Sequence, residues 1–86
     1  METFGDRLKR LRLERGWMIK ELAQKARMDP SMVSAYELGK KFPNYWNLIE
    51  LAVKLDVSLD YLTGIYDESP RTTARATVDG ARRLVV

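Results

Sequence analysis

The chain has no cysteine and no histidine. The first absence removes disulfide frameworks and thiolate metal sites. The second removes imidazole ligands and histidine acid–base chemistry. A chain without cysteine sits naturally in a reducing cytoplasm. Long apolar runs are also missing. The longest falls far short of the roughly 20 residues that span a bilayer, so no membrane partner is expected. The opening Met1-Glu2-Thr3-Phe4-Gly5-Asp6 lacks the apolar segment of a signal peptide. No nucleophile–base pair stands out, so neither an enzyme nor a cofactor is expected.

What remains suits one small domain. A chain of 86 residues has room for one hydrophobic core, and 45% apolar residues are enough to fill it. The net charge of +3 and the isoelectric point near 9.4 are mildly basic. They are compatible with a polyanionic partner without demanding one.

Apolar spacing and punctuation predict five helices. Phe4, Leu8 and Leu11 fall at helical spacing over Thr3 to Arg15, and Gly16 ends that stretch. Its other side carries Arg7, Lys9, Arg10 and Arg15. A second helix is expected over Ile19 to Lys25 and a third over Pro30 to Leu38, closed by Gly39. Asn44 suits the N-cap of a fourth, with Leu48, Leu51, Ala52 and Leu55 as its core face. Ser58 suits the N-cap of a fifth, with Val57 and Leu62 as a hydrophobic staple and Gly64 as its stop. From Asp67 the composition changes. Asp67 to Thr73 reads as an exposed linker, and residues 74–86 show no clear amphipathic pattern. That leaves a mobile tail or a dimerisation arm.

The stretch from Ile19 to Glu37 says most about function. Leu22, Ala23 and Ala26 mark one short helix, and Val33, Tyr36 and Glu37 mark the inward side of the next. Ala23 is small where the two helices approach. Asp29 caps the second helix and Pro30 suits its first turn. Two short helices meeting nearly at right angles, the second free to lie in a DNA major groove, form a helix-turn-helix.

The flanks extend the pattern. Phe-Gly-Asp-Arg-Leu-Lys-Arg-Leu-Arg-Leu-Glu-Arg-Gly-Trp (Phe4 to Trp17) precedes it. Leu-Gly-Lys-Lys-Phe-Pro-Asn (Leu38 to Asn44) and Asn-Leu-Ile-Glu-Leu-Ala-Val-Lys-Leu-Asp-Val-Ser-Leu-Asp-Tyr-Leu-Thr-Gly (Asn47 to Gly64) follow it. From Phe4 to Gly64 the chain resembles the phage-repressor (Xre/Cro-like) helix-turn-helix family. The resemblance implies an all-α, compact five-helix bundle, a lambda-repressor-like DNA-binding domain, over residues 1–66. It implies operator DNA as partner, commonly bound by a homodimer.

Residue by residue, the resemblance assigns Pro30, Ser31, Met32, Ser34 and Ala35 to the bases. It assigns Lys40, Lys41, Asn44 and Tyr45 to phosphates, and Arg12 with Glu37 to a largely buried salt bridge. None of the base-facing residues is a Gln, Asn or Arg able to make a bidentate base contact, so DNA shape is expected to carry much of any specificity. Helix 2 departs from the pattern: Met18 and Ile19 stand where Ser or Thr and Gln are usual, and Arg27 replaces a turn glycine. Arg27 is expected in a left-handed backbone, with a phosphate contact. Trp17 is expected in the core. Exposed Met18 and Ile19 leave open a second reading, a module that holds a regulatory protein, such as an antirepressor or antitoxin. Trp46 reads as packing or partial surface cover on helix 4. Leu62 reads as core, whereas Tyr61 and Ile65 read equally as core packing or as a dimer interface.

Overall fold

A computed structural model describes residues 1–65. The linker and tail expected over 67–86 lie outside the described residues. The described residues form five helices: α1 (Phe4–Glu14), α2 (Ile19–Lys25), α3 (Pro30–Glu37), α4 (Tyr45–Leu55) and α5 (Leu59–Thr63).

Four of the five helices start where an N-cap side chain satisfies orphan amides. Thr3 and Asp6 form a reciprocal capping box on α1, so Thr3 is a cap and not the first helical residue. Asp29, Asn44 and Ser58 accept from the amides of Ser31, Asn47 and Tyr61. Helix α2 has only half a box. Met18 offers no side-chain cap, but its amide donates to Glu21 Oε1 at 2.7 Å. Three helices are followed by left-handed Gly16, Gly39 and Gly64. Helix α4 ends instead on Asp56, at φ 59°, a conformation Asp tolerates better than most residues.

One apolar face from each helix builds the core. Leu8, Leu22, Val33, Leu51, Leu55 and Leu62 are fully buried. Tyr36 is 2% exposed, and its hydroxyl accepts from Asn47 Nδ2 at 3.0 Å, which ties α3 to α4. Helix α3 also packs against α1 and α2, and α5 packs against α1 and α4. The α1–α3 approach depends on Gly5. A Cβ there falls 2.7 Å from the Tyr36 carbonyl oxygen and closer still to that of Glu37. Only a residue without a side chain lets α1 start this near the end of α3.

Two expectations about the start of α2 need correction. Trp17 is half-buried against the core, not inside it, with Lys25 Nζ 4.8 Å from its ring centroid. Ile19, expected on the surface, turns partly inward onto the same core, while Met18 stays 57% exposed. The first helical position rotates its side chain toward the bundle; the cap before it does not.

Candidate nucleic-acid interface

Helix α3 buries Val33 and Tyr36 and turns Ser31, Ser34 and Ala35 away from the core. The spacing i, i+3, i+4 puts these three on one face. Pro30 and Ser31 are exposed at its N-terminal end, whereas Met32 lies to the side, partly buried against the core. Leu38, the C-cap, extends the same face and is 66% exposed. It was not among the expected base-facing residues, although it sits one turn past Ser34 and two past Ser31.

The loop after α3 folds back onto this face. The amides of Lys40 and Lys41 both donate to the Ala35 carbonyl, at 2.9 and 3.4 Å. Both lysines are exposed and have no side-chain partner among the described residues. Next along the chain, Asn44 caps α4 through its carbonyl oxygen, which leaves its NH₂ group for another acceptor. The amides of Tyr45 and Trp46 open α4 and have no intrahelical partner. Tyr45 is 63% and Trp46 72% exposed, their rings in an edge-on pair with centroids 5.4 Å apart. Trp46 therefore does not cover the surface as a packed side chain. Phe42 is 63% exposed and meets Phe4 at 4.7 Å.

Arg27 stands apart from the lysine loop, in the turn between α2 and α3. It is exposed, with φ 60°. A non-glycine residue there costs about 1–2 kcal/mol.

Ser31 is less available than its exposure suggests. Its hydroxyl donates to Asp29 Oδ1 at 2.7 Å, and its amide donates to the same oxygen at 2.8 Å. These bonds, the hydroxyl first, hold the Asp29 carboxyl below its usual pKa. With its proton committed to Asp29, Ser31 faces outward as an acceptor.

Behind the face, Arg12 and Glu37 form a two-pronged ion pair. Arg12 Nε donates to Oε2 at 2.7 Å and Nη2 to Oε1 at 3.1 Å. The side chains are 8% and 5% exposed. Arg12 Nη1 also donates to the Trp17 carbonyl oxygen at 2.7 Å. One guanidinium thus joins α1, the α1–α2 turn and the end of α3. The other arginines of α1 do not form the open basic face read from sequence. Arg7 is 6% exposed; Arg10 is bound by Glu2 and Glu14; Arg15 donates to the carbonyls of Leu11 and Leu55. Tyr61 is half-buried and accepts from Arg10 through its hydroxyl, whereas Ile65 is 69% exposed.

Among the described residues, no helix is long and apolar enough to cross a membrane, and no cluster of acidic side chains is arranged to hold a metal ion.

Comparison with known proteins gives this geometry its context. A family profile described as helix-turn-helix matches residues 8–62. An uncharacterised HTH-type transcriptional regulator of Bacillus subtilis, YqaE, is 39% identical over 59 residues. The match takes in 69% of this chain and 51% of that one, so the chain spans about half the length of the curated relative it matches. Among solved structures, the N-terminal DNA-binding domain of SinR from Bacillus subtilis is 35% identical, with a TM-score of 0.65. That similarity covers 69% of this chain and 87% of the SinR domain. The P22 c2 repressor, in complex with a synthetic operator, is 26% identical with a TM-score of 0.70, over 72% of this chain and 94% of the repressor chain. With the helix-turn-helix profile covering residues 8–62, well over half of the sequence, the chain belongs to the Xre/Cro-like helix-turn-helix family.

Proposed function

We propose that this protein occupies operator DNA in the cytoplasm as a homodimeric transcriptional regulator, acting as a repressor, with α3 in the major groove. The observation that carries this reading is the fold-back of the lysine loop onto Ala35. It sets two cations, without side-chain partners among the described residues, beside the outward face of a capped helix, so phosphate anchors flank a base-facing surface. Pro30, Ser31, Ser34 and Ala35 face the bases, with Met32 at the edge of that face. Arg27, Lys40, Lys41, Asn44 and Tyr45 meet the backbone, and the edge of Tyr61 on α5 and Ile65 just past its C-cap form the dimer contact. Occupancy itself regulates, by blocking access to the duplex, and needs no covalent step.

A second reading, a module that holds a regulatory protein, draws on the exposed Met18, Leu38 and Phe42. Selection of bound sequences from random duplex DNA separates the two. The short side chains of α3 lead to an expected ratio of specific to non-specific affinity near the low end of about 10³ to 10⁷. Selected sites should carry two half-sites about one DNA turn apart. Ala35→Gln should sharpen the preference at one base pair. Enrichment of nothing at low salt would favour the protein-binding reading, and a lone half-site would contradict the dimer.

A further inference from the structure

The loop that folds back onto Ala35 also carries Phe42 to the start of α1. There its ring meets that of Phe4 at a tilt of 53°, centroids 4.7 Å apart. Loop and helix leave a cleft of about 630 Å³ between them, whose lining includes Phe4, Leu38, Lys40, Lys41 and Phe42. Sites for small ligands usually measure about 300–1,000 Å³.

Two acidic residues also line this cleft, and both carboxylates are engaged. Asp6 accepts from the Thr3 amide at 3.2 Å within the capping box, and Glu37 is taken by Arg12. Lys40 and Lys41 have no side-chain partner among the described residues. The cleft thus sets two uncommitted ammonium groups beside the largely exposed apolar side chains of Leu38 and Phe42. A duplex phosphate matches the lysines but leaves that apolar surface in water. An uncharged apolar group covers the surface but desolvates cations without pairing them. An anion with a flat apolar body satisfies both halves. Its ring can meet Phe42 in the tilted or offset geometry that aromatic pairs prefer. Its carboxylate can take charge-assisted hydrogen bonds from both ammonium groups.

We propose that this cleft binds a small aromatic carboxylate, its ring on Phe42 and Leu38 and its two oxygens on Lys40 and Lys41. The bound ligand occupies the cations that the α3 face offers to phosphates, so it loosens the protein from duplex DNA. That consequence rests on the DNA-binding reading, whereas filling the cleft does not.

The probe is naphthoate, titrated into the full chain without DNA and followed by backbone amide chemical shifts. Shifts should be confined to the start of α1 and the loop from Leu38 to Phe42, with an affinity of about millimolar for a ligand of this size in an open cleft. Naphthalenemethanol keeps the ring and loses the charge, and acetate keeps the charge and loses the ring. Each should bind at least about tenfold more weakly. Phe42→Ala should weaken naphthoate about tenfold. Leu38→Ser, a second variant at an exposed position, should weaken it in the same direction. Lys40→Ala with Lys41→Ala should bring naphthoate down to the level of the alcohol and leave the alcohol unchanged. Equal binding of naphthoate and the alcohol, shifts scattered over the whole surface, or unweakened binding in Phe42→Ala would overturn the proposal. So would loop shifts that follow protein concentration without ligand, which would give the cleft to a second copy. In a second arm, naphthoate is added to protein and duplex DNA at fixed ionic strength. It should weaken duplex binding where acetate does not, and Phe42→Ala should lose that response. Unchanged duplex affinity with the cleft filled would overturn the competition. Naphthoate binding with no duplex binding would sink the DNA reading and leave the cleft standing; duplex binding without naphthoate binding would do the reverse.

Discussion

The α3 face and the α1–α5 end use charge in opposite ways. At the α1–α5 end, Arg7 and Arg10 are committed to Glu2, Glu14 and Tyr61, and nearby Arg15 is committed to backbone carbonyls. On the α3 face, Lys40 and Lys41 stand exposed without side-chain partners among the described residues, beside the short side chains of Ser34 and Ala35. The longer, forked cations hold the bundle together, and the compact ones are left for something outside it. Arginine suits the first task because its planar fork matches carboxylates and carbonyls in fixed directions. Lysine suits the second because a mobile point charge follows a phosphate without demanding one geometry. A net charge of +3 understates this separation. What matters for a polyanion is where unpaired cations sit, not their sum.

The ion pair between the two regions should show the largest effect. Arg12→Ala or Glu37→Ala leaves a buried charge without its partner and is expected to cost about 3 kcal/mol. Denaturant melts of each single variant and the double measure it. Single variants that melt like wild type would show that the pair contributes little. Gly5→Ala comes next, because the added methyl meets the Tyr36 and Glu37 carbonyls. Helices α1 and α3 must then separate, at about 1–3 kcal/mol. An unchanged melt would mean the helices adjust freely.

Smaller still is the acid dependence of the α3 cap. Folding lowers the Asp29 pKa below 3.8, so the stability it gives is complete well above that value and is lost as pH falls through the folded pKa. Asp29→Asn should flatten this acid limb relative to wild type. Identical acid limbs would remove Asp29 from the account.

Local rules made much of this fold readable. Asp29, Asn44 and Ser58 announce helix starts through side-chain oxygens, and Gly16, Gly39 and Gly64 announce stops. The left-handed turn at Arg27 was readable from the family pattern, since a glycine is usual there. Asp56 takes the same conformation with no glycine to signal it. The ends of long side chains were the hardest to read. Arg7 and Arg10 look like a solvated stripe in sequence, yet their partners include Tyr61, more than 50 residues away. Ser31 reads as an open hydroxyl, yet in the structure that hydroxyl donates to Asp29. Exposure of Leu38 and Phe42 depends on how the loop folds onto Ala35, which no periodicity encodes. The site was legible as a helix with a lysine pair behind it, but not as an arrangement of donors and acceptors.

The most direct test of the contrast is the salt dependence of binding to duplex DNA, with wild type beside Lys40→Ala, Lys41→Ala and Lys9→Ala. Lys9 is also exposed, but lies on α1 and not in the lysine loop. Each phosphate contact contributes about 0.9 to the slope of log affinity against log salt. The slope should fall by about one unit for each loop lysine removed, with affinity lost evenly across DNA sequences. Lys9→Ala should leave it unchanged. Equal slopes in all four proteins, or no binding to any duplex at low salt, would contradict the assignment of the α3 face and its lysines to DNA.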